Sequence, residues 1–166
     1  MNPELWTLLK AAAKSFGMDP FLLAAQVLQE SAGDSTATRY EPGYRWTWPP
    51  PKSKLLPRII YPIAPCSKDT EAVMQRVSWG LLQVMGALAR ELGYRRPFLS
   101  GLAGDADTAL ELGCLWMRKK LDAYATVEQA LSAFNAGSPT LANQANYVRP
   151  IIAKAEALRR EIPTTA

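Results

Sequence analysis

The sequence predicts a mostly α-helical domain that is interrupted by one long insertion. Apolar residues recur at helical spacing over most of the chain, and prolines and glycines separate the segments in which they do so. The insertion, at about residues 34–77, lacks this pattern. With 166 residues, of which 48% are hydrophobic and 20% charged, the chain is long enough to form one compact domain, which we expect to span residues 1–166.

Signals at both ends mark the first two helices. Asn2-Pro3 supplies a cap and a first-turn proline, and Gly17 ends the apolar repeat that follows. Asp19-Pro20 caps the second helix in the same way. We expect this helix to run to about Glu30 and to stop before Gly33.

The insertion is rich in prolines and in aromatic residues. The prolines exclude a long helix, and disordered segments are poor in aromatic residues. We therefore expect an ordered segment with extended or short hairpin pieces. The prolines are Pro42, Pro49, Pro50, Pro51, Pro57, Pro62 and Pro65, and the aromatic residues are Tyr40, Tyr44, Trp46, Trp48 and Tyr61.

Four more helices are expected after the insertion, and the connections between them are short. In the first of them, Leu81, Met85 and Leu88 share one face. Six helices in all indicate a mostly α domain. The expected spans of the last four are Gly80 to Gly93, Asp105 or Asp107 to Tyr124, Thr126 to Gly137, and about Leu141 to Arg160 with a kink at Pro150.

The composition excludes several kinds of site. Without any histidine, the chain cannot build Ser-His-Asp or Cys-His nucleophilic sites or a His-based zinc site. Cys66 and Cys114 are too few for a multi-cysteine zinc cluster, and two reduced, packed thiols are the favoured interpretation. We therefore expect neither a metal nor a cofactor.

The sequence also argues against a nucleic-acid partner and stable membrane insertion. The net charge of +4 is spread along the chain. A helix-turn-helix interpretation of residues 127–148 fits poorly, because the candidate recognition segment 140–147 contains no Arg or Lys. No stretch is as apolar as a membrane span, and the N-terminus does not resemble a signal peptide.

Glu30 is the candidate for proton-transfer chemistry. It follows Val27 by three residues and Leu23 by seven, so these three side chains share the helix face expected to turn inward. Burial without a cationic partner raises the pKa of a carboxyl group. A raised pKa allows a glutamate to act as a general acid near neutral pH.

Two further segments place amides at the ends of apolar stretches. Gln83, near Gly80, either lines a ligand groove or bonds back to Gly80 as half of a capping box, and the local pattern favours the capping box. Asn135 follows Phe134 at the end of an apolar stripe. Its amide binds either a substrate hydroxyl or acetamido group, or the backbone of a neighbouring loop.

Taken in order, Glu30-Ser31, Gly80 to Gln83, Ala133 to Gly137 and Tyr147-Val148 resemble the motifs of the lytic transglycosylase and goose-type lysozyme superfamily. The resemblance covers about residues 18 to 152 and implies a lysozyme-like helical fold that cleaves peptidoglycan glycan strands. The sequence departs from the family pattern at three points. It has Leu82 where methionine is usual, Phe134 where tyrosine is usual, and a long insertion. The resemblance and the positions near its motifs suggest a catalytic role for Glu30 and substrate-binding roles for Ser31, Ser78, Gln83, Phe134, Asn135 and Tyr147.

The resemblance implies that Glu30 first protonates the glycosidic oxygen between N-acetylmuramic acid and N-acetylglucosamine. Acting next as a base, Glu30 would give a 1,6-anhydro product. A hydrolytic muramidase would need a second carboxylate, for which Glu41 is the best candidate. The alternative for Glu41, an ion pair with Arg39 or Arg45, agrees better with the usual surface position of glutamates. A non-catalytic peptidoglycan-binding phage module is a more distant alternative.

The insertion carries clues to how substrate is bound and to a phage origin of the protein. Its residues Tyr40, Tyr44, Trp46 and Trp48 form either a wall for sugar rings or a satellite core under the loop. Segments 39–42 and 78–80 resemble those of compact bacteriophage endolysins. Together with the lack of a signal-peptide pattern, this second resemblance predicts a monomer that is made in the bacterial cytoplasm, is released with the help of a holin, and acts at the periplasmic cell wall. A secretion-associated or prophage wall enzyme would have a similar sequence.

Overall fold

The structure, a computed structural model, describes residues 1–48 and 62–162. It is mostly helical with a small antiparallel sheet, which confirms the predicted fold class. The chain divides into two units, Met1–Gly33 with Gly113–Ala166, and Asp34–Leu112. The single domain over residues 1–166 stays a prediction.

Helices make up most of the described residues, and most of the predicted end signals act where the sequence places them. The α-helices are α1 (Pro3–Phe16), α2 (Pro20–Ser31), α3 (Lys68–Met74), α4 (Gly86–Glu91), α5 (Ala106–Ala123), α6 (Val127–Ala136), α7 (Leu141–Asn143) and α8 (Arg149–Glu161). The Asn2 side chain caps α1, Asp19 caps α2 and Thr126 caps α6, each by accepting a backbone N–H. Gly17 ends α1 in the left-handed conformation that favours glycine.

In the first unit, α2 is the central helix. All seven residues from Phe21 to Val27 are buried, and α2 packs against α1 and α8. Fully buried side chains from α1, α5, α6 and α8 complete this core, among them Leu9, Met117, Leu131 and Ile151. A helix that is apolar on all sides is stable only when it is surrounded in this way.

The second unit contains a three-stranded antiparallel sheet of β1 (Thr38–Tyr40), β2 (Val77–Trp79) and β3 (Val84–Met85). Thr38 pairs with Trp79 and Tyr40 with Val77, so the start of the insertion forms a strand. The expectation of short extended pieces there is confirmed. The predictions for residues 49–61, including Pro49, Pro50, Pro51, Pro57 and Tyr61, lie outside the described residues.

The prediction that a helix starts at Gly80 is wrong. Residues 80–83 form the turn between β2 and β3, and α4 begins six residues later at Gly86. Gly80 has φ +68°, and a Cβ there would come within 2.8 Å of the Ala109 Cβ, so the turn requires glycine. Leu81, Met85 and Leu88 keep helical spacing although they lie in a turn, a strand and a helix. Periodicity alone cannot separate these cases.

The helix α3 within the insertion was not predicted. It begins after Ser67, whose hydroxyl accepts the Thr70 N–H at 3.1 Å, and acidic residues fill its first turn. Its Glu71 forms a buried ion pair with Arg90 of α4, with two N–O distances of 2.8 Å. Arg90 is fully buried and also donates to the carbonyl groups of the loop that follows α4, at Tyr94, Arg96 and Pro97.

The two cysteines agree with the expectation of packed thiols, since Cys66 and Cys114 are both buried.

Candidate active site

Glu30 lies in the last turn of α2, where the sequence predicts it. Leu23 and Val27, which share its face, are fully buried, and Glu30 itself is partly buried. The Tyr147 hydroxyl donates a hydrogen bond to Glu30 Oε1. The structure thus brings together two predicted site residues that are more than a hundred positions apart in the chain.

Tyr147 is held as a proton donor. It is 8% exposed, and burial, followed by the negative charge of Glu30 and the hydrogen bond to it, raises the pKa of Tyr147 well above its ordinary value of 10.0. A donated bond from Gln26 Nε2, at 3.3 Å from the tyrosine oxygen, acts in the opposite direction. The hydroxyl therefore keeps its proton over the whole neutral range.

A widened helical turn carries Tyr147. Residues Gln144–Val148 are π-helical, and the Arg149 N–H bonds to the Gln144 carbonyl instead of to Ala145. Pro150, the predicted kink, has no N–H to donate to the preceding turn, which favours such a local widening. Within this turn Ala145 is exposed while Tyr147 is buried, so the turn directs the tyrosine into the first unit.

Ser31 lies next to Glu30 and shapes the end of α2. Its hydroxyl donates to the Val27 carbonyl at 3.1 Å and accepts the Gly33 N–H at 3.3 Å. Ala32, between them, has φ 54°. Ser31 therefore stabilises the sharp exit of the chain directly after Glu30.

Phe134 and Asn135 end α6 in the same unit. The Asn143 amide donates to Asn135 Oδ1 at 2.7 Å, a side-chain partner that the sequence did not suggest. Binding of a substrate group by Asn135 stays a prediction. Trp116 Nε1 donates to the Phe134 carbonyl at 3.4 Å. Asn135 is exposed and Phe134 is partly buried.

Ser78 and Gln83 belong to the second unit, in the hairpin of β2 and β3. The Ser78 hydroxyl donates to Gln83 Oε1 at 2.8 Å, and Gln83 Nε2 donates to the carbonyl groups of Ala37 and Gly80 at 3.0 and 2.9 Å. Gln83 therefore ties the hairpin turn to the residue preceding β1. The capping box expected for Gln83 is wrong, because the helix that it would cap does not start at Gly80.

A comparison with protein families identifies the family of the chain. The family model described as Transglycosylase SLT domain matches residues 7–154. The chain belongs to the transglycosylase SLT domain family. It is an enzyme that acts on peptidoglycan, a lytic transglycosylase, and the superfamily resemblance of its motifs is confirmed. Searches of curated proteins and of solved structures gave no significant match.

In this transglycosylase, Glu41 forms the ion pair that the sequence offered as its alternative role. Arg39 Nε lies 2.5 Å from Glu41 Oε1, and the arginine side chain is 76% exposed. Such a surface pair contributes little to stability. The role of Glu41 as a second carboxylate stays a prediction.

The four aromatic residues of the insertion differ in exposure. Trp46 is 77% and Tyr40 50% exposed, whereas Tyr44 and Trp48 are partly buried. The Trp48 backbone is fixed by the buried Gln75 amide, which both accepts its N–H and donates to its carbonyl at 2.7 Å. Trp46 and Tyr40 are thus exposed while the Trp48 backbone is anchored, and the choice between a wall for sugar rings and a satellite core stays a prediction.

Two contacts of the candidate site were not predicted. Gln26 binds Tyr147, and Asn143 binds Asn135. Gln26 carried a signal, because it interrupts the apolar run one helical turn before Glu30 and therefore faces the same side of α2. The sequence carried no such signal for Asn143, because its contact with Asn135 depends on how the chain folds back after α6.

Among residues 1–48 and 62–162, we find no group of three metal-ligating side chains placed to hold an ion. Nor does any helix within those ranges have the length and hydropathy needed to cross a membrane.

Proposed function

We propose that this lytic transglycosylase cleaves the β-1,4 bond between N-acetylmuramic acid and N-acetylglucosamine, with Glu30 as the acid and then the base. The observation that carries the proposal is the position of the Glu30 carboxyl, which is partly buried at the end of α2 and bound by the Tyr147 hydroxyl. A carboxyl in such a place can exchange a proton with substrate, while the protein fixes the orientation of the carboxyl group.

The two steps of the proposed reaction together return the enzyme to its starting state. Protonated Glu30 gives its proton to the glycosidic oxygen, and the bond from that oxygen to the muramyl C1 breaks as an oxocarbenium-like state develops. The muramyl C6 hydroxyl then attacks C1, and the Glu30 carboxylate takes the hydroxyl proton. The products are a free N-acetylglucosamine 4-hydroxyl and a 1,6-anhydro-muramyl end, and no water is consumed.

The remaining candidate residues would bind the glycan. The exposed Asn135 amide is fixed at its oxygen by Asn143, which leaves its N–H groups suited to an acetamido carbonyl. The exposed Trp46 and Tyr40 rings suit the apolar faces of pyranose rings. Ser31, Ser78 and Gln83 would act through the backbone that they hold in place, and Phe134 would contact the glycan directly.

The test is a lysis assay with a matched pair of variants. Glu30→Gln removes the proton donor but keeps the size of the side chain, so lysis of outer-membrane-permeabilised Gram-negative cells should fall by at least about a hundredfold. Glu156→Gln, an exposed glutamate on α8, is the control and should keep full activity. Circular dichroism should show equal folding of all three proteins. Full activity of Glu30→Gln would overturn the proposal.

Mass spectrometry of the peptidoglycan from the same assay identifies the reaction. Anhydro-muropeptides in the wild-type digest, and their loss with Glu30→Gln, are the expected result. Reducing ends with incorporated water would instead indicate a hydrolase, and Glu41 would then be the residue to substitute next.

We further propose that the enzyme is a phage endolysin for host-cell lysis. The motif resemblance of segments 39–42 and 78–80 supports this role. In it, a monomer would be made in the bacterial cytoplasm and reach the periplasmic cell wall with the help of a holin.

A further inference from the structure

Gln26 is a polar residue in the most apolar part of the molecule. It lies in α2 between Ala25 and Val27 and is 0% exposed. Its Nε2 donates to the Tyr147 oxygen at 3.3 Å, while its Oε1 has no hydrogen-bond partner among residues 1–48 and 62–162. A half-satisfied buried amide costs stability that a leucine or methionine of similar size would not. Stability alone therefore does not explain a glutamine here.

The three side chains form a directed chain of hydrogen bonds. Because an amide nitrogen can only donate, the Tyr147 oxygen must accept from Gln26. The single hydroxyl proton is then left for Glu30 Oε1. With the amide reversed, Gln26 Oε1 would compete with Glu30 for that proton. The direction of the Gln26 amide therefore decides where the Tyr147 proton lies.

The helix α2 fixes two of these three side chains relative to each other. Gln26 and Glu30 are four residues apart on α2, so they lie on one face of the same buried helix. Tyr147 reaches them from the widened turn before α8, where its ring orientation is set by a different element. Two side chains of one helix thus hold a hydroxyl that arrives from another.

We propose that Gln26 is a positioning residue, which fixes the Tyr147 hydroxyl and through it the carboxyl of Glu30. This inference rests on the proposed role of Glu30 as the proton donor. It adds a residue outside the quoted motifs to the machinery of the reaction.

A double-mutant cycle tests the proposal. Gln26→Met removes the donor at nearly constant volume and should lower kcat about fivefold, the worth of one hydrogen bond, with KM unchanged. In the Tyr147→Phe background the same substitution should change kcat less than twofold, because the group that it acts through is gone. Equal effects in both backgrounds, or no effect of Gln26→Met on wild type, would overturn the proposal.

Two controls separate positioning from packing. Gln29→Met replaces an exposed glutamine of the same helix and should leave kcat unchanged. Melting temperatures of all variants show whether the core is intact, and Gln26→Leu is a second apolar replacement if the methionine variant is unstable.

A second measurement does not depend on activity. The titration midpoint of the Glu30 carboxyl carbon, followed by NMR, should move to higher pH in Tyr147→Phe, because a donor to the ionised form is lost. Gln26→Met should move it in the same direction, and not further in the double variant. An inactive wild-type protein would contradict the proposed function, whereas an unchanged midpoint in Gln26→Met would contradict the positioning role.

Discussion

At the scale of single residues, the site pairs one carboxyl with one phenol. Glu30 and Tyr147 share a hydrogen bond, and the phenol cannot easily ionise because burial and the carboxylate both oppose a second negative charge. Tyr147 is therefore a permanent hydrogen-bond donor, and in the proposed mechanism Glu30 is the member of the pair that moves protons. Without histidine in the chain, that function falls to a carboxyl.

The raised pKa of Tyr147 predicts a loss of stability in alkali. In the unfolded chain the tyrosine ionises near its ordinary pKa of 10.0, whereas in the folded protein it stays protonated. Above that pH the unfolded state binds fewer protons, so the free energy of unfolding falls as pH rises, while below it this contribution is fully present.

Tyr147→Phe removes this pH dependence. Urea unfolding between about pH 9 and about pH 11 should show a shallower loss of stability in Tyr147→Phe than in wild type. Parallel curves for Tyr147→Phe and wild type would argue against burial of Tyr147 as the cause.

At the scale of elements, α2 is the helix that presents Glu30, and both of its ends are fixed. At the start, Asp19 Oδ1 accepts the Phe21 N–H at 2.9 Å, and the other oxygen pairs with Arg159 of α8. At the end, Ser31 holds the turn after the helix. The position of Glu30 follows from these local contacts together with the surrounding core.

Loss of the cap should destabilise this helix measurably. Asp19→Ala should lower the free energy of unfolding by about 1 kcal/mol, the usual worth of an N-cap, as measured by urea denaturation. Asp19→Asn keeps a capping oxygen and loses only an exposed ion pair, so it should stay close to wild type. Similar losses in both variants would mean that the Arg159 pair, and not the cap, stabilises the helix.

The sequence predicted four helix starts correctly, each from a capping side chain followed by an apolar repeat. The starts of α1, α2, α5 and α6 follow a capping Asn, Asp or Thr, and each prediction is confirmed. The prediction failed at Gly80 to Gln83, where the backbone turns through left-handed conformations at Gly80 and at Gln83. A glutamine gives no sign that it will adopt such a conformation, because only tertiary contacts such as those from Ser78 and Ala37 impose it.

At the scale of the whole molecule, the periodicity of the sequence could not predict which side chains meet when they lie far apart along the chain. Glu30 was named from its position on an apolar helix face and Tyr147 from the family resemblance, but their hydrogen bond depends on the packing of α8 against α2. The ion pair of Glu71 and Arg90 was not foreseen at all, because neither residue stands out in the sequence. Local patterns determine elements, whereas the side chains that meet are determined by how elements pack.

The proposed endolysin role predicts how the whole protein behaves in a cell. Expressed alone in a Gram-negative host, the enzyme should leave cells intact, and co-expression of a pore-forming holin should cause rapid lysis. Optical density of the culture measures this. The Glu30→Gln variant with holin is the control for damage by the pore itself. Lysis by the enzyme without holin would show that it reaches the wall by another route.

The buried Arg90 links three parts of the second unit, α3, α4 and the loop after α4, during folding. Its guanidinium holds Glu71 of α3 and the carbonyl groups of residues 94, 96 and 97, so a single cation organises two helices and a loop. Burying that cation before all of its partners arrive would be very unfavourable. These three parts should therefore form and open together as one cooperative unit, with similar rates of amide hydrogen exchange.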